Sequence, residues 1–191
     1  MKKLALIVIS TFLLLMMPQA TAANTVIRIT GPIHQTFTGE FRNDDLAQSL
    51  TPSGDLGLKV FQPIAKNRTW VIDAALIDEV IAMSGEYTLA TEAEPAGKEI
   101  ATAWLTQLKR VTAGNDVVAL AYGNPDIALA QRLAPSELKN YFVYGRDRLQ
   151  LALGRIVRSE PEVQWSVGKS GLSNPLRKNY SDNRKALTRL S

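Results

Sequence analysis

Seven residues of this sequence carry side chains that could do chemistry at points where the chain pattern changes: His34, Asp73, Tyr122, Asn124, Asp126, Trp165 and Lys169. Two of them are carboxylates. A carboxylate pair flanking a glycosidic bond is enough to hydrolyse it, one acting as acid and the other as base or nucleophile. Asp73 and Asp126 are therefore the candidate catalytic pair. Trp165 and Tyr122 offer flat faces for a sugar ring, and His34, Asn124 and Lys169 complete a candidate substrate-binding set. Each has an equally physical structural reading. Both carboxylates precede apolar helical stretches, where a carboxylate caps free amides and meets the positive end of the helix dipole. Trp165 also reads as a core residue.

Other chemistries lack their residues. His34 is the single histidine and there is no cysteine, so a zinc site, which needs about three protein ligands, has no donor set, and no metal or other cofactor is expected. Ser136-Glu137-Leu138-Lys139 and Ser166-Val167-Gly168-Lys169 match S-x-x-K. Yet the K-T-G-like Lys169-Ser170-Gly171 precedes Ser181-Asp182-Asn183, the reverse of the order in penicillin-binding enzymes. Gly168-Lys169-Ser170 resembles the end of a phosphate-binding loop, but Val163 stands where its first glycine belongs.

The elements that must position the seven residues follow from periodicity. Val26-Ile27-Arg28-Ile29-Thr30 reads as a strand ended by Gly31-Pro32, and Asn43-Asp44-Asp45 as the cap of a helix through Leu50. Leu56 to Ile64 suggests a second short helix. Thr69 to Ile72 is a buried strand that runs at Asp73 directly into an amphipathic helix ending near Ser84-Gly85. Ile100, Trp104, Leu108 and Val111 share one helical face. Val117 to Tyr122 is an unbroken apolar run, as in a parallel strand covered on both faces. In Gly123-Asn124-Pro125-Asp126, Asn124 suits the N-cap and Pro125 the first helical position. That helix reaches about Leu133, and another runs from Pro135 to about Ile156, interrupted or kinked at Gly145. Val163 to Val167 reads as a further strand. Strands alternating with helices specify an α/β fold, here an incomplete (β/α) barrel-like domain with parallel strands. A closed eight-stranded barrel takes about 250 residues.

Residues 1–22 have the parts of a signal peptide: Lys2 and Lys3, an apolar run from Leu4 to Met17, and the small-residue site Ala20-Thr21-Ala22. The expectation is export by the general secretory route, a secreted or cell-envelope location, and no membrane span after cleavage. Residues 23–175 then form the barrel-like domain and 176–191 a basic helical tail. The whole chain has a net charge of +4, of which Lys2 and Lys3 contribute two. A nucleic-acid partner is not expected, because the remaining excess of basic residues collects in the tail rather than in a stripe interleaved with aromatics.

Trp70 to Val80, Val117 to Asp126 and Gln164 to Gly168 together resemble, in this order, a family of actinobacterial cell-envelope proteins of unknown function. Its pattern is an apolar strand into Asp-Pro-Ala-Leu-Leu-Asp, a Tyr-Gly-Asp-Pro-Asp turn and a Trp-Pro strand before Gly. Ala74 replaces the usual proline and Asn124 the usual aspartate. The resemblance covers about Val26 to Gly171 and implies the N-terminal part of a barrel like those of glycoside hydrolases and polysaccharide deacetylases. The resulting expectation is a secreted envelope protein acting on or binding a cell-wall glycan. The alternative is a non-catalytic envelope binding or scaffold protein with a protein partner.

Overall fold

The computed structural model describes residues 25–62 and 68–159. Within them four strands, β1 (Thr25–Ile29), β2 (Arg68–Ile72), β3 (Asp116–Ala119) and β4 (Arg158–Ser159), form one sheet in the order β1-β2-β3-β4 with every neighbour parallel. Two helices fill each crossover: α1 (Asp45–Leu50) and α2 (Asp55–Phe61), α3 (Ala74–Ser84) and α4 (Lys98–Thr112), α5 (Ile127–Leu133) and α6 (Pro135–Leu153). Strand order follows chain order, so crossovers of one hand bring successive helices to the same face of the sheet. The α/β, barrel-like expectation therefore holds. The strand expected over Val163–Val167, Trp165, Lys169, the signal segment and the basic tail lie outside the described residues.

Alternation along the strands divides the sheet into two faces. Ile27, Trp70 and Val117 align in one row and Ile29, Ile72 and Ala119 in another. Both rows belong to the main core, with Leu46 and Leu50 of α1, Leu56 and Val60 of α2, Ile77 and Val80 of α3, Trp104 and Leu108 of α4 and Leu149 of α6. The predicted stripe of α4 faces this core, with Trp104 and Leu108 fully buried. Trp104 Nε1 donates to the Leu56 carbonyl at 3.1 Å and Gln107 Nε2 to that of Val60 at 3.1 Å, which ties α4 to α2. On the opposite sheet face Val71, Val118 and Leu120 form a smaller cluster with Val26.

Three local expectations change. Asn43 and Asp44 do not cap α1 with a side chain. Asn43 Oδ1 accepts from the Asp45 amide at 3.1 Å, and Asp44 accepts from Tyr87 Oη at 2.7 Å. The helix after β3 begins later than expected. Gly123 and Asn124 both have positive φ, 76° and 44°, so the chain makes a left-handed turn at Asn124 and Asp126 becomes the N-cap. Finally, Gly145 does not interrupt its helix, since α6 runs unbroken from Pro135 to Leu153. The glycine is buried there because the helix backbone presses on the end of β3, and an added Cβ would lie 2.4 Å from the Leu120 carbonyl oxygen.

Candidate functional site

At the carboxyl ends of β1, β2 and β3 lies a cavity of about 320 Å³, where parallel βα folds concentrate working residues. Three segments enclose it: the loop from Gly31 to Arg42 after β1, the first turns of α3 after β2, and Tyr122-Gly123 after β3.

Asp73 is the innermost of the predicted residues. Its amide donates to the Ile29 carbonyl at 3.0 Å, extending the β1–β2 ladder by one bond before α3 begins. Its Oδ1 accepts from the amides of Ala75 and Gly123, both at 3.0 Å. Asp73 thus caps α3 and ties the β3 turn to the end of β2. Both bonds fall on Oδ1, and the residue, 2 % exposed, lines the cavity. Burial raises its pKa above the ordinary 3.8, an effect that the two amide bonds only partly offset, while nearby Glu79 raises it further and Arg28 lowers it.

A raised carboxyl pKa fixes the sign of a stability effect. The folded state holds the Asp73 proton more tightly than the unfolded chain, so this contribution is fully present below pH 3.8 and is lost as pH rises through the folded value. Asp73→Asn keeps an acceptor for both amides and removes the buried charge. The variant should melt above the wild type at pH 7, and its advantage should shrink as pH falls toward 3, as read from melting temperatures across that range. A variant that melts below the wild type at pH 7, with the deficit closing as pH falls, would mean that the charge itself holds the junction.

Two further carboxylates lie one to two turns along α3. Glu79, 7 % exposed, accepts at Oε1 from the amides of His34 at 2.8 Å and Gln35 at 3.0 Å, while Oε2 meets His34 Nδ1 at 2.9 Å. Three bonds from one side chain hold the loop after β1 against α3. Asp78 takes a two-pronged bond from Arg148, 2.9 Å from Nε to Oδ2 and 2.7 Å from Nη2 to Oδ1, and accepts from Tyr122 Oη at 3.0 Å. Burial, followed by the neighbouring Asp78 charge, pushes the Tyr122 hydroxyl pKa upward, so Tyr122 stays a neutral donor. Its ring meets Tyr144 edge to face at 4.7 Å.

The outer wall is a small hairpin. Thr36 N donates to Glu40 O at 2.8 Å and Gly39 N to Thr36 O at 3.1 Å, while Arg42 N reaches His34 O at 3.0 Å. Phe41 anchors the hairpin in the core, fully buried and edge-on to Tyr87. Phe37 at its tip is fully exposed, and with Ile33 it gives the cavity an apolar rim. Arg42 lines the same rim.

Of the seven predicted residues, Asp73 and Tyr122 line the cavity. His34 stands behind it as the partner of Glu79. Asn124 lies beside it, its Oδ1 accepting from Arg28 Nη2 at 3.1 Å. Asp126 is exposed, caps α5 by accepting from the Leu129 amide at 3.0 Å, and is not part of the cavity wall. Sequence reasoning missed Phe37, Arg42, Asp78 and Glu79. For Glu79 a signal existed: it sits three residues after Leu76 and four before Met83, within the apolar stripe of α3, where a carboxylate must find partners. Among the described residues no three His, Asp or Glu side chains converge to hold a metal ion, and no helix is long and apolar enough to cross a membrane. Compared with known proteins, the chain matches no family model and no curated protein.

Proposed function

We propose that this is a secreted cell-envelope protein that binds a glycan in the cavity at the carboxyl ends of its strands. The observation that carries the reading is the pairing of an apolar rim, Phe37 with Ile33, with a polar floor on which Asp73 keeps one carboxylate oxygen outside its two capping bonds. Sugar rings present an apolar face and a hydroxyl edge, and this layout meets both. The signal-like N-terminus and the resemblance of the strand–helix junctions to envelope proteins support the location.

Binding is favoured over hydrolysis by the fate of the acids. Glu79 and Asp78 are held by their own partners, and Asp126 caps a helix away from the cavity wall. Among the described residues Asp73 then has no second free carboxylate beside it to act as base or nucleophile. One observation favours catalysis: the raised pKa of Asp73 suits a proton donor.

The test is titration of purified cell-wall polysaccharide fragments into the folded protein, with released reducing sugar assayed in the same samples. Phe37→Ala should leave stability within about 0.5 kcal/mol, because the ring packs on nothing. It should weaken binding by about tenfold through lost stacking. Sugar release that disappears in Asp73→Asn would show an enzyme instead, and no binding to any fragment would sink the glycan reading.

A further inference from the structure

The charged groups of the cavity are not balanced. Each carboxylate is already answered from within the protein: Glu79 by His34 and two amides, Asp78 by Arg148 and Tyr122, and Asp73 by two amides. Burial also biases Asp73 toward its neutral form. One cation is left over. Arg42, on the rim, makes no side-chain hydrogen bond or ion pair with any described residue, although its backbone is fixed by the bond to His34 O. Arg28 donates to the uncharged amide of Asn124 and lies near enough to Asp73 to favour its charged form. The two nearest acids in sequence, Glu40 and Asp44, accept from Thr38 Oγ1 at 3.0 Å and from Tyr87 Oη at 2.7 Å rather than from Arg42. The mouth therefore offers a guanidinium with no counterion among the described residues, five residues along the hairpin from the exposed Phe37 ring.

A guanidinium presents two parallel donors that match a carboxylate or a phosphate, and such charge-assisted pairs are stronger than neutral ones. We propose that the glycan is acidic, and that Arg42 receives a sugar-borne carboxylate or phosphate while Phe37 holds the adjoining ring. The inference rests on the glycan reading of the same cavity. It makes Arg42 the residue that selects among glycans and leaves the ring contact to Phe37.

Calorimetric titration of the full mature chain with three oligosaccharides of equal length tests this. One alternates uronic acid with N-acetylhexosamine, the second is its carboxyl-reduced neutral counterpart, and the third carries phosphodiester-linked sugars. An acidic ligand should bind roughly tenfold to a hundredfold more tightly than the neutral one. The margin should shrink with added salt, because the site is at the surface. Arg42→Gln, at an exposed position, should fold normally and erase the margin between the acidic and neutral ligands. Whether the carboxylate or the phosphate probe shows the larger margin identifies the source of the charge. Equal affinity for all three would overturn the acidic preference and leave the glycan reading standing. A preference that survives in Arg42→Gln would overturn the role of Arg42. Absence of binding by all three would overturn the glycan reading along with it.

Discussion

Glu79→Ala should unfold the loop after β1 from the body of the protein and cost about 3 kcal/mol, a fall in melting temperature of roughly 10 °C. The side chain satisfies two backbone amides and one imidazole nitrogen from an almost fully buried position. Truncation removes every one of those acceptors at once. Water can re-satisfy the half-buried amides of His34 and Gln35 in part, which keeps the loss below the full sum of three charge-assisted bonds. Glu79→Gln separates the bonds from the charge. Its amide oxygen still accepts from the two backbone N–H groups, and its NH₂ can face His34 Nδ1 once the imidazole proton moves to Nε2. The Gln variant should therefore lose less than half as much stability. Because the loop carries Phe37 and Arg42, the Ala variant should also lose ligand binding, and amide exchange across Gly31 to Arg42 should accelerate while that of β2 and β3 does not. Uniform acceleration over the whole sheet would mean that Glu79 supports the core at large rather than one wall of the cavity.

This loop is also where sequence reading is weakest, for a physical reason. The parallel sheet was legible because Val117 to Tyr122 is an unbroken apolar run and Trp70 to Ile72 a short one, and α4 because Trp104 and Leu108 recur at helical spacing. Asp73 was legible because strand passes to helix without an intervening loop, leaving a single capping position. Such local patterns are set by periods of two and 3.6. The hairpin from Gln35 to Phe41 follows no period. Its form depends on Glu79, more than forty residues away, and on Phe41 reaching the core. Phe37 and Phe41 are four residues apart and identical in type, yet one is fully exposed and the other fully buried. Composition cannot separate them. Nor could spacing decide whether Asp73 and Asp126 meet, since each sits at a helix start, and a cap directs a carboxylate to its own amides before any ligand. Asn124 misled in the same way. It is a good capping residue, but the left-handed turn begun at Gly123 carries it past the helix start and gives the cap to Asp126.

Gly145→Ala sets helix propensity against packing, and packing should win. In an exposed helix the change would stabilise by about 1 kcal/mol, since alanine loses less backbone entropy. At position 145 the new methyl would stand 2.4 Å from the Leu120 oxygen and 3.0 Å from the Tyr122 nitrogen. Both are backbone atoms at the end of β3, so no rotamer change relieves the contact. The helix must move outward. That motion strains the bond from Tyr122 N to Tyr141 O, now 3.0 Å, and draws Arg148, one turn further along α6, away from Asp78. Overpacking of this kind costs about 1–3 kcal/mol, and the loss of the bonds it strains adds to that. A net destabilisation of about 2–3 kcal/mol is expected after the propensity gain is deducted. Tyr122 provides a local readout, because its ring rests on Tyr144 of the same helix and its hydroxyl on Asp78. Near-ultraviolet tyrosine dichroism should weaken in Gly145→Ala at temperatures where the far-ultraviolet signal is still native. A variant more stable than the wild type would mean that α6 crosses the end of β3 at a distance with room for a methyl.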